Sequence, residues 1–121
     1  MKSTGKREST TIVPFLKWPG GKRWFVFGCA DHLPGTYGNY IEPFLGAGSV
    51  YFHLQPKHAL LGDANADLIN AYQSIKDDWN GLLNSLKYRQ RRHRADADGY
   101  FYWLRDRVPI DAVERASRLI Y

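Results

Sequence analysis

The chain has 121 residues, a length near that of one domain, and 44% of them are hydrophobic, which can support a folded core. Its net charge of +5 at pH 7 is modest, so the placement of the basic residues matters more than their total. The single cysteine, Cys29, excludes an internal disulfide, and no apolar run is long enough to indicate a transmembrane helix or a signal peptide. We therefore expect an intracellular, cytoplasmic protein without membrane contact.

Elements of the first half alternate between strand and helix. Residues 1–11 are polar and without periodicity, which predicts a disordered N-terminal extension. A helix is expected after residues 20–21 (GG), because apolar residues then recur on one face until residues 34–35 (PG); they are Phe25, Val26, Cys29 and Leu33. We expect this helix to pack on a sheet. The remaining elements are a strand at 37–44, a short helix at 49–54 and a buried strand at 59–62, which ends at Asp63.

This order is a βαβ unit, the building block of α/β proteins. Two parallel strands do not make a self-sufficient sheet, since such sheets are normally covered on both faces. We therefore expect apolar side chains to be open to solvent around Val26, Ile41 and Leu60.

The second half predicts helices only. Three apolar stripes recur at helical spacing, and each is typical of core; they are Leu68, Ile69, Tyr72 and Ile75, then Trp79, Leu82, Leu83 and Leu86, then Tyr100, Phe101, Leu104 and Val108. A last helix is expected to begin at Asp111, with Glu114 completing a capping box. Residues 119–121 carry no stop signal, which suggests that the sequence has been shortened.

The segment at residues 42–49 (EPFLGAGS) lies between a predicted strand and helix, at the sheet edge where open α/β proteins bind ligands. Gly46 and Gly48 can adopt unusual dihedrals and expose backbone N–H groups, and the helix start that follows suits a carboxylate. The third glycine of a dinucleotide fingerprint would fall at Tyr51, which disfavours NAD. Glu42 either meets a cationic part of the ligand or caps the turn.

Asp63 follows the second strand, seventeen residues after Gly46. An acid near this spacing can accept hydrogen bonds from both ribose hydroxyls of an adenosine group. The alternative is a helix N-cap for the segment that starts near Asn65. Aromatic residues, 15% of the chain, either lie in part against a flat ligand such as a purine or fill an aromatic-rich core.

Residues 87–94 (KYRQRRHR) concentrate positive charge in the second half. Such a run can lie along a phosphate backbone, where it makes binding sensitive to salt. The alternative is a solvated helix end that the helix dipole favours. The five candidates for DNA contact are Lys87, Arg89, Arg91, Arg92 and Arg94.

Three segments together resemble the Dam-type adenine-specific DNA methyltransferases: residues 17–22 (KWPGGK), 40–50 (YIEPFLGAGSV) and 62–69 (GDANADLI). The resemblance implies S-adenosylmethionine as cofactor, double-stranded DNA as partner and no metal. Trp18, Lys22 and Asp63 would contact the cofactor. The middle segment would form the glycine turn beneath the methionine portion, through Glu42, Pro43, Phe44, Gly46, Gly48 and Ser49.

The same resemblance implies an α/β fold that begins with an incomplete Rossmann-like methyltransferase core at residues 12–66. The start of a helical target-recognition region would follow at residues 67–121. Members of the family place an Asp-Pro-Pro-Tyr tetrad at the flipped adenine, and the 121 residues contain none. We therefore assign no catalytic residue and expect the N-terminal portion of a methyltransferase, of housekeeping, phage or restriction-modification type, that is inactive alone.

Two other function classes remain open. A non-catalytic module that binds nucleic acid or a nucleoside on a partial methyltransferase fold would explain the charge and the basic run. It predicts a stably folded chain with steeply salt-dependent DNA binding. A dinucleotide-dependent enzyme is disfavoured by Tyr51 and by the small size of the predicted sheet.

Overall fold

A computed structural model describes residues 12–121, so the extension predicted at residues 1–11 lies outside the described residues. The chain divides into two compact units, Met1–Leu61 and Gly62–Tyr121. The first holds two short helices and two strands, and the second holds three helices. In chain order the elements are α1 (Arg23–Cys29), a 3₁₀ turn (Ala30–His32), β1 (Tyr40–Glu42), α2 (Ser49–Leu54), β2 (Ala59–Leu61), α3 (Ala66–Ala95), α4 (Ala97–Arg105) and α5 (Ala112–Ile120).

Strands β1 and β2 form a parallel pair, with α2 in the connection between them. Ile41 lies opposite Leu60 in the register. The parallel pairing and the helix at 49–54 confirm the predicted βαβ order. The first strand is shorter than the predicted 37–44, because β2 offers only three residues to pair with.

The two-stranded sheet is poorly covered by the rest of its unit. Ile41 is 64% exposed and Leu60 is 68% exposed, as the sequence predicts for an incomplete sheet. Val26, expected to be open as well, is half-buried. Helix α1 has no fully buried residue and packs chiefly on α2, so the expectation that it covers a sheet was wrong.

The best-buried apolar residues of the first unit lie around the turn between β1 and α2. Leu45 and Ala47 belong to this turn, Val50 begins α2, and Leu16 joins them from an earlier segment. Burial of this kind stabilises the turn by the hydrophobic effect, at about 25 cal/mol for each Å² of apolar surface removed from water. The core of the first unit therefore lies where the sequence predicts ligand binding.

Helix α3 begins at the N-cap Asn65, whose side chain accepts hydrogen bonds from the N–H groups of Asp67 and Leu68. The helix is interrupted at Asp78, which has a non-helical backbone. The Asp78 carboxylate accepts from the Gly81 N–H at 2.9 Å and so caps the second half of the helix. The interruption separates the two apolar stripes that the sequence predicts here.

Helix α5 packs along α3 and forms the core of the second unit. Ala71, Leu82 and Ala116 lie at its centre, surrounded by partly buried apolar residues. Three members of the predicted stripes are instead largely exposed, because α3 and α4 each have a side without a neighbour in the unit; they are Trp79, Leu83 and Phe101. Val108, the last residue of the third stripe, lies beyond α4, which ends at Arg105, and is exposed as well.

The start of α5 confirms the predicted cap. The Asp111 carboxylate accepts from the Glu114 N–H at 3.0 Å. In a complete capping box the Glu114 carboxylate would accept from the Asp111 N–H. Here it accepts instead from Arg89 and Ser85 of α3. The cap therefore joins the end of a loop to a polar network inside the second unit.

Candidate functional site

The segment before α1 forms a tight turn at the predicted cofactor-binding residues. The Gly21 N–H donates to the Trp18 carbonyl at 3.2 Å, with Pro19 and Gly20 between them. Gly20 has a φ of +74°, and Pro followed by a residue of positive φ is the arrangement of a type II turn. The turn brings Lys22 to the N-cap position of α1.

Lys22 ties the start of α1 to the turn after β1. Its ammonium group donates to the Phe44 carbonyl at 2.6 Å and to the Glu42 carboxylate at 3.3 Å. The Lys22 side chain is partly exposed, whereas that of Glu42 is almost fully buried. The positive charge therefore compensates a buried negative charge, while part of the Lys22 side chain stays open to solvent.

Glu42 has a second partner within its own strand. The Tyr40 hydroxyl donates to the other carboxylate oxygen at 2.5 Å. Burial, followed by this hydrogen bond to a carboxylate, raises the pKa of Tyr40 well above its ordinary value. Tyr40 thus stays a neutral donor, and these contacts agree with the alternative in which Glu42 stabilises the turn.

The turn after β1 depends on two glycines of positive φ. Gly46 has a φ of +53° and Gly48 a φ of +72°, a region that L residues with side chains rarely adopt. The Gly48 N–H donates to the Leu45 carbonyl at 2.9 Å, which closes the turn. A Cβ on Gly46 would lie 3.5 Å from Cδ1 of the Trp18 indole. The two glycine segments of the sequence therefore meet, with the indole against the turn.

The other members of this turn take different positions. Phe44 is 74% exposed, and Pro43 beside it is exposed as well. Ser49 is buried, and its hydroxyl has no hydrogen-bond partner within the described residues. Ser49 also lines a small cavity of about 40 Å³, together with Val26 and His53. Its hydroxyl is thus a buried polar group that a ligand atom could satisfy.

Asp63 lies two residues after β2, at the start of the second unit. Its carboxylate accepts from the Asn65 N–H at 3.0 Å. Asn65, rather than Asp63, is the N-cap of α3. Asp63 therefore does not cap α3. Its assignment as a ribose contact stays a prediction from the sequence.

The basic run at 87–94 lies on the second half of α3. Its predicted DNA-contacting residues are exposed except for Arg89, which is only 3% exposed. Nε of Arg89 donates to the Ser117 hydroxyl at 2.6 Å, and NH2 pairs with the Glu114 carboxylate at 2.7 Å. The guanidinium is thus directed into the helical unit, so we remove Arg89 from the DNA-contacting set. Those that remain are Lys87, Arg91, Arg92 and Arg94.

The sequence interpretation missed the structural roles of two residues, the Tyr40 hydroxyl that donates to Glu42 and the buried guanidinium of Arg89. Tyr40 lies two positions before Glu42, and the two-residue period of a strand places both on one face. Arg89 lies seven positions after Leu82 and four after Ser85, which is the buried side of α3. Both periodicities are visible in the sequence and could have found these residues.

No group of three His, Cys, Asp or Glu residues within 12–121 could hold a metal ion. No helix in the described part of the chain is long and apolar enough to cross a membrane. The arrangement around Trp18, Lys22 and the glycine turn can hold a flat or polar organic ligand.

Comparisons with known proteins agree on one family. The family described as D12 class N6 adenine-specific DNA methyltransferase matches residues 18–121. A type II methyltransferase of Lactococcus lactis, M1.LlaDCHI, is 34% identical over 96% of this chain and 42% of its own length. M.MjaIII of Methanocaldococcus jannaschii is 31% identical over 91% of this chain and 44% of its own length. A DNA adenine methylase of Vibrio cholerae is 41% identical over 60% of this chain and 26% of its own length. The chain thus spans less than half the length of these relatives.

Proposed function

Because the chain belongs to the family of D12 class N6 adenine-specific DNA methyltransferases, we propose that it serves methyl transfer from S-adenosylmethionine to adenine N6 in double-stranded DNA. The observation that carries this proposal is the family match over residues 18–121, which includes every site residue named above. The relatives named DNA adenine methylase and type II methyltransferase support it. Since the chain spans less than half of those relatives, the activity is proposed for the whole protein.

The cofactor proposal rests on the fit of the first unit to a small organic cation with a carboxylate. When bound, S-adenosylmethionine supplies a methyl group on a sulfonium centre. Gly46 and Gly48 keep side chains away from the turn, so that its backbone can approach a ligand closely. Trp18 offers an indole beside that turn, and Lys22, whose side chain is partly exposed, offers an ammonium group suited to a carboxylate.

Glu42 acts, in this proposal, mainly through Lys22. A carboxylate buried in this way holds the ammonium group in place by charge, and Tyr40 satisfies its second oxygen. Pro43 and Phe44 present exposed surface at the turn, and the unpartnered hydroxyl of Ser49 is a further candidate contact. Asp63 is proposed as the ribose contact on the strength of the family resemblance alone.

At the level of fold, the parallel pair β1–β2 with α2 between the strands supports the first βαβ unit of a Rossmann-like sheet. We assign residues 12–66 to the catalytic and cofactor-binding domain. Residues 67–121 are assigned to the start of a target-recognition domain, where exposed basic residues of α3 are proposed to contact DNA phosphates. They are Lys87, Arg91, Arg92 and Arg94.

The role of positioning the adenine amine is not assigned to any of the 121 residues. Transfer to this weak nucleophile requires the base to be rotated out of the duplex and held in line with the methyl group. The Asp-Pro-Pro-Tyr tetrad that the family resemblance leads one to expect does not occur among these residues. We propose that the 121-residue chain by itself binds the cofactor without turning over.

Titration calorimetry with S-adenosylmethionine tests the cofactor proposal. The Lys22→Met variant removes the ammonium group and keeps the aliphatic stem, and we expect it to weaken binding at least tenfold, because a charge-assisted contact contributes roughly 1.5 kcal/mol or more. The matched control is Lys17→Met, an exposed lysine in the same segment, which should leave binding within about twofold of the original chain.

A second variant separates cofactor contact from folding. Lys22→Met leaves Glu42 as a buried charge without its cationic partner, whereas the double variant Lys22→Met with Glu42→Gln removes that charge. Both variants should bind weakly while the double variant regains thermal stability. Binding by Lys22→Met that equals binding by Lys17→Met, or no saturable binding by the original chain at millimolar cofactor, would refute the proposal.

A further inference from the structure

Four side chains of the second unit form a continuous row. The Arg92 guanidinium lies 5.7 Å from the centre of the Tyr100 ring, and the Tyr100 and Trp103 rings are stacked at 5.7 Å with planes 20° apart. The Arg107 guanidinium lies 4.2 Å from the Trp103 ring centre. We call these four residues the arginine–aromatic row. It joins the basic run of α3 to the segment that follows α4.

One member of the row is buried in the helical unit, and the other three side chains are exposed to solvent. Tyr100 is buried, and its hydroxyl accepts a hydrogen bond from NH1 of Arg89 at 3.3 Å. Trp103 is 48% exposed, and Arg92 and Arg107 are exposed. A surface indole stacked on a fixed ring exposes apolar area that packing within the unit does not require. The open side of the row is therefore rigid enough to serve as a contact surface.

Positive charge dominates the open side of the row. Neither Arg92 nor Arg107 makes an ion pair within the described residues. Asp106 pairs with Arg105 at 3.0 Å. The Asp96 carboxylate accepts from the Gly99 N–H and lines one cavity together with Arg92, Tyr100 and Trp103. The row thus presents two guanidinium groups against the one carboxylate of that cavity, an excess of positive charge that suits an anionic partner.

Stacking determines which partner suits these groups. A guanidinium placed over a ring presents its N–H groups outward in its own plane, which matches the geometry of phosphate oxygens. The indole between two such groups can lie against a sugar or a base. A nucleic-acid strand, in which charged phosphates alternate with flat nucleosides, has the same alternation of charge and apolar surface.

We propose that the arginine–aromatic row is a contact for the DNA backbone, with Arg92 and Arg107 each holding a phosphate and Trp103 lying against the nucleoside between them. This inference rests on the proposed action on DNA, and it adds Trp103 of α4 and Arg107, two residues beyond that helix, to a contact set so far confined to α3. Arg107 and Trp103 lie outside the basic run that the sequence singles out.

Salt-dependent binding of a short duplex tests the row. Affinity is measured by fluorescence anisotropy of a labelled duplex between 50 and 200 mM salt, the range in which lost phosphate contacts change affinity strongly. The double variant Arg92→Ala, Arg107→Ala should reduce the slope of log affinity against log salt by about 2, since each phosphate contact contributes about 0.9. The matched control, Lys76→Ala, should leave the slope unchanged, because this exposed lysine of α3 lies outside both the row and the basic run.

Further variants and a parallel titration keep the outcomes distinct. Arg92→Lys with Arg107→Lys retains charge and should keep the slope, whereas Trp103→Ala should lower affinity about tenfold without changing the slope. An alanine pair that behaves as Lys76→Ala overturns the row, and so does failure of the original chain to bind duplex at 50 mM salt. Cofactor titration of the same samples reports separately on the proposed function, which stands if S-adenosylmethionine binds while the row fails.

Discussion

The two units of the chain keep their shapes by different means. The first unit has short helices, a sheet with exposed apolar side chains, and a turn set by glycines and one buried ion pair. The second unit packs three helices around an apolar centre and a buried polar network. In the first unit the best-buried apolar residues surround the glycine turn, whereas in the second they join helix to helix. The proposed cofactor contacts of the first unit therefore lie beside its core, whereas the proposed DNA contacts of the second unit lie on its exposed surface.

The polar network of the second unit should show the largest effect. Arg89→Ala removes one donor from Ser117, Glu114 and Tyr100 together, and it leaves Ser85 as the remaining partner of Ser117 and Glu114. We expect a loss of about 3 kcal/mol, the low end for a broken buried pair because the Glu114 side chain is partly exposed. Urea unfolding followed by circular dichroism measures it, since α3 to α5 hold most of the helix.

Arg91→Ala is the control for this prediction. It makes the same change two positions away on an exposed side of α3, and surface substitutions usually stay within about 0.5 kcal/mol. A similar small loss in both variants would show that the network does not stabilise the unit, and the contrast between the units would then lose its basis.

The glycine turn of the first unit should show an intermediate effect. Gly48→Ala places a side chain at a φ of +72°, which costs about 1–2 kcal/mol. Gly28→Ala is the control, because this residue lies in α1 with nothing within 4 Å of a new Cβ and alanine favours a helix by up to about 1 kcal/mol. Hydrogen exchange of peptides from residues 12–61 should report opposite signs for the two variants. Equal protection in both would mean that the turn is not constrained by its backbone.

The hydroxyl of Tyr40 should show the smallest effect, and one that depends on pH. Its pKa is raised in the folded chain, so the stability that the bound proton provides is present at neutral pH and lost as pH rises above the ordinary value of 10.0. Tyr40→Phe should cost about 1 kcal/mol at pH 8 and should reduce the further loss between pH 9 and 11. Thermal unfolding measures both, with exposed Tyr88→Phe as the control, which should keep the full alkaline loss.

The fold could be predicted from the sequence wherever its cause is local. The helix Ser49–Leu54 and the cap at Asp111 follow from neighbouring residues, and both are confirmed. The first strand was predicted too long because its length depends on a partner strand that is distant in sequence. Exposure of Phe101 and Val108 likewise depends on which helices lie nearby, and helical spacing alone does not contain that information.

The sequence predicted which residues belong to the candidate site better than it predicted how they contact one another. The family resemblance assigns residues 17–22 and 42–49 to one cofactor, which implies that the two segments lie close together. The Trp18 indole beside Gly46 agrees with this expectation. The bond from Lys22 to the Phe44 carbonyl joins residues 22 positions apart and could not be derived from spacing. Helical spacing from Leu82 and Ser85 indicates that Arg89 lies on the buried side of α3. Its partners Ser117 and Glu114 lie in α5, more than twenty residues later, and could not be derived from that spacing.

Amide chemical shifts test the central claim most directly, because they report on each residue of both units in one experiment. Addition of S-adenosylmethionine to the ¹⁵N-labelled chain should shift the backbone signals of Gly46 and Gly48 and the indole signal of Trp18, with smaller changes in α4 and α5. Saturation at one cofactor for each chain is expected. Shifts confined to the helices of the second unit, or no shifts at millimolar cofactor, would contradict the assignment of the first unit to the cofactor.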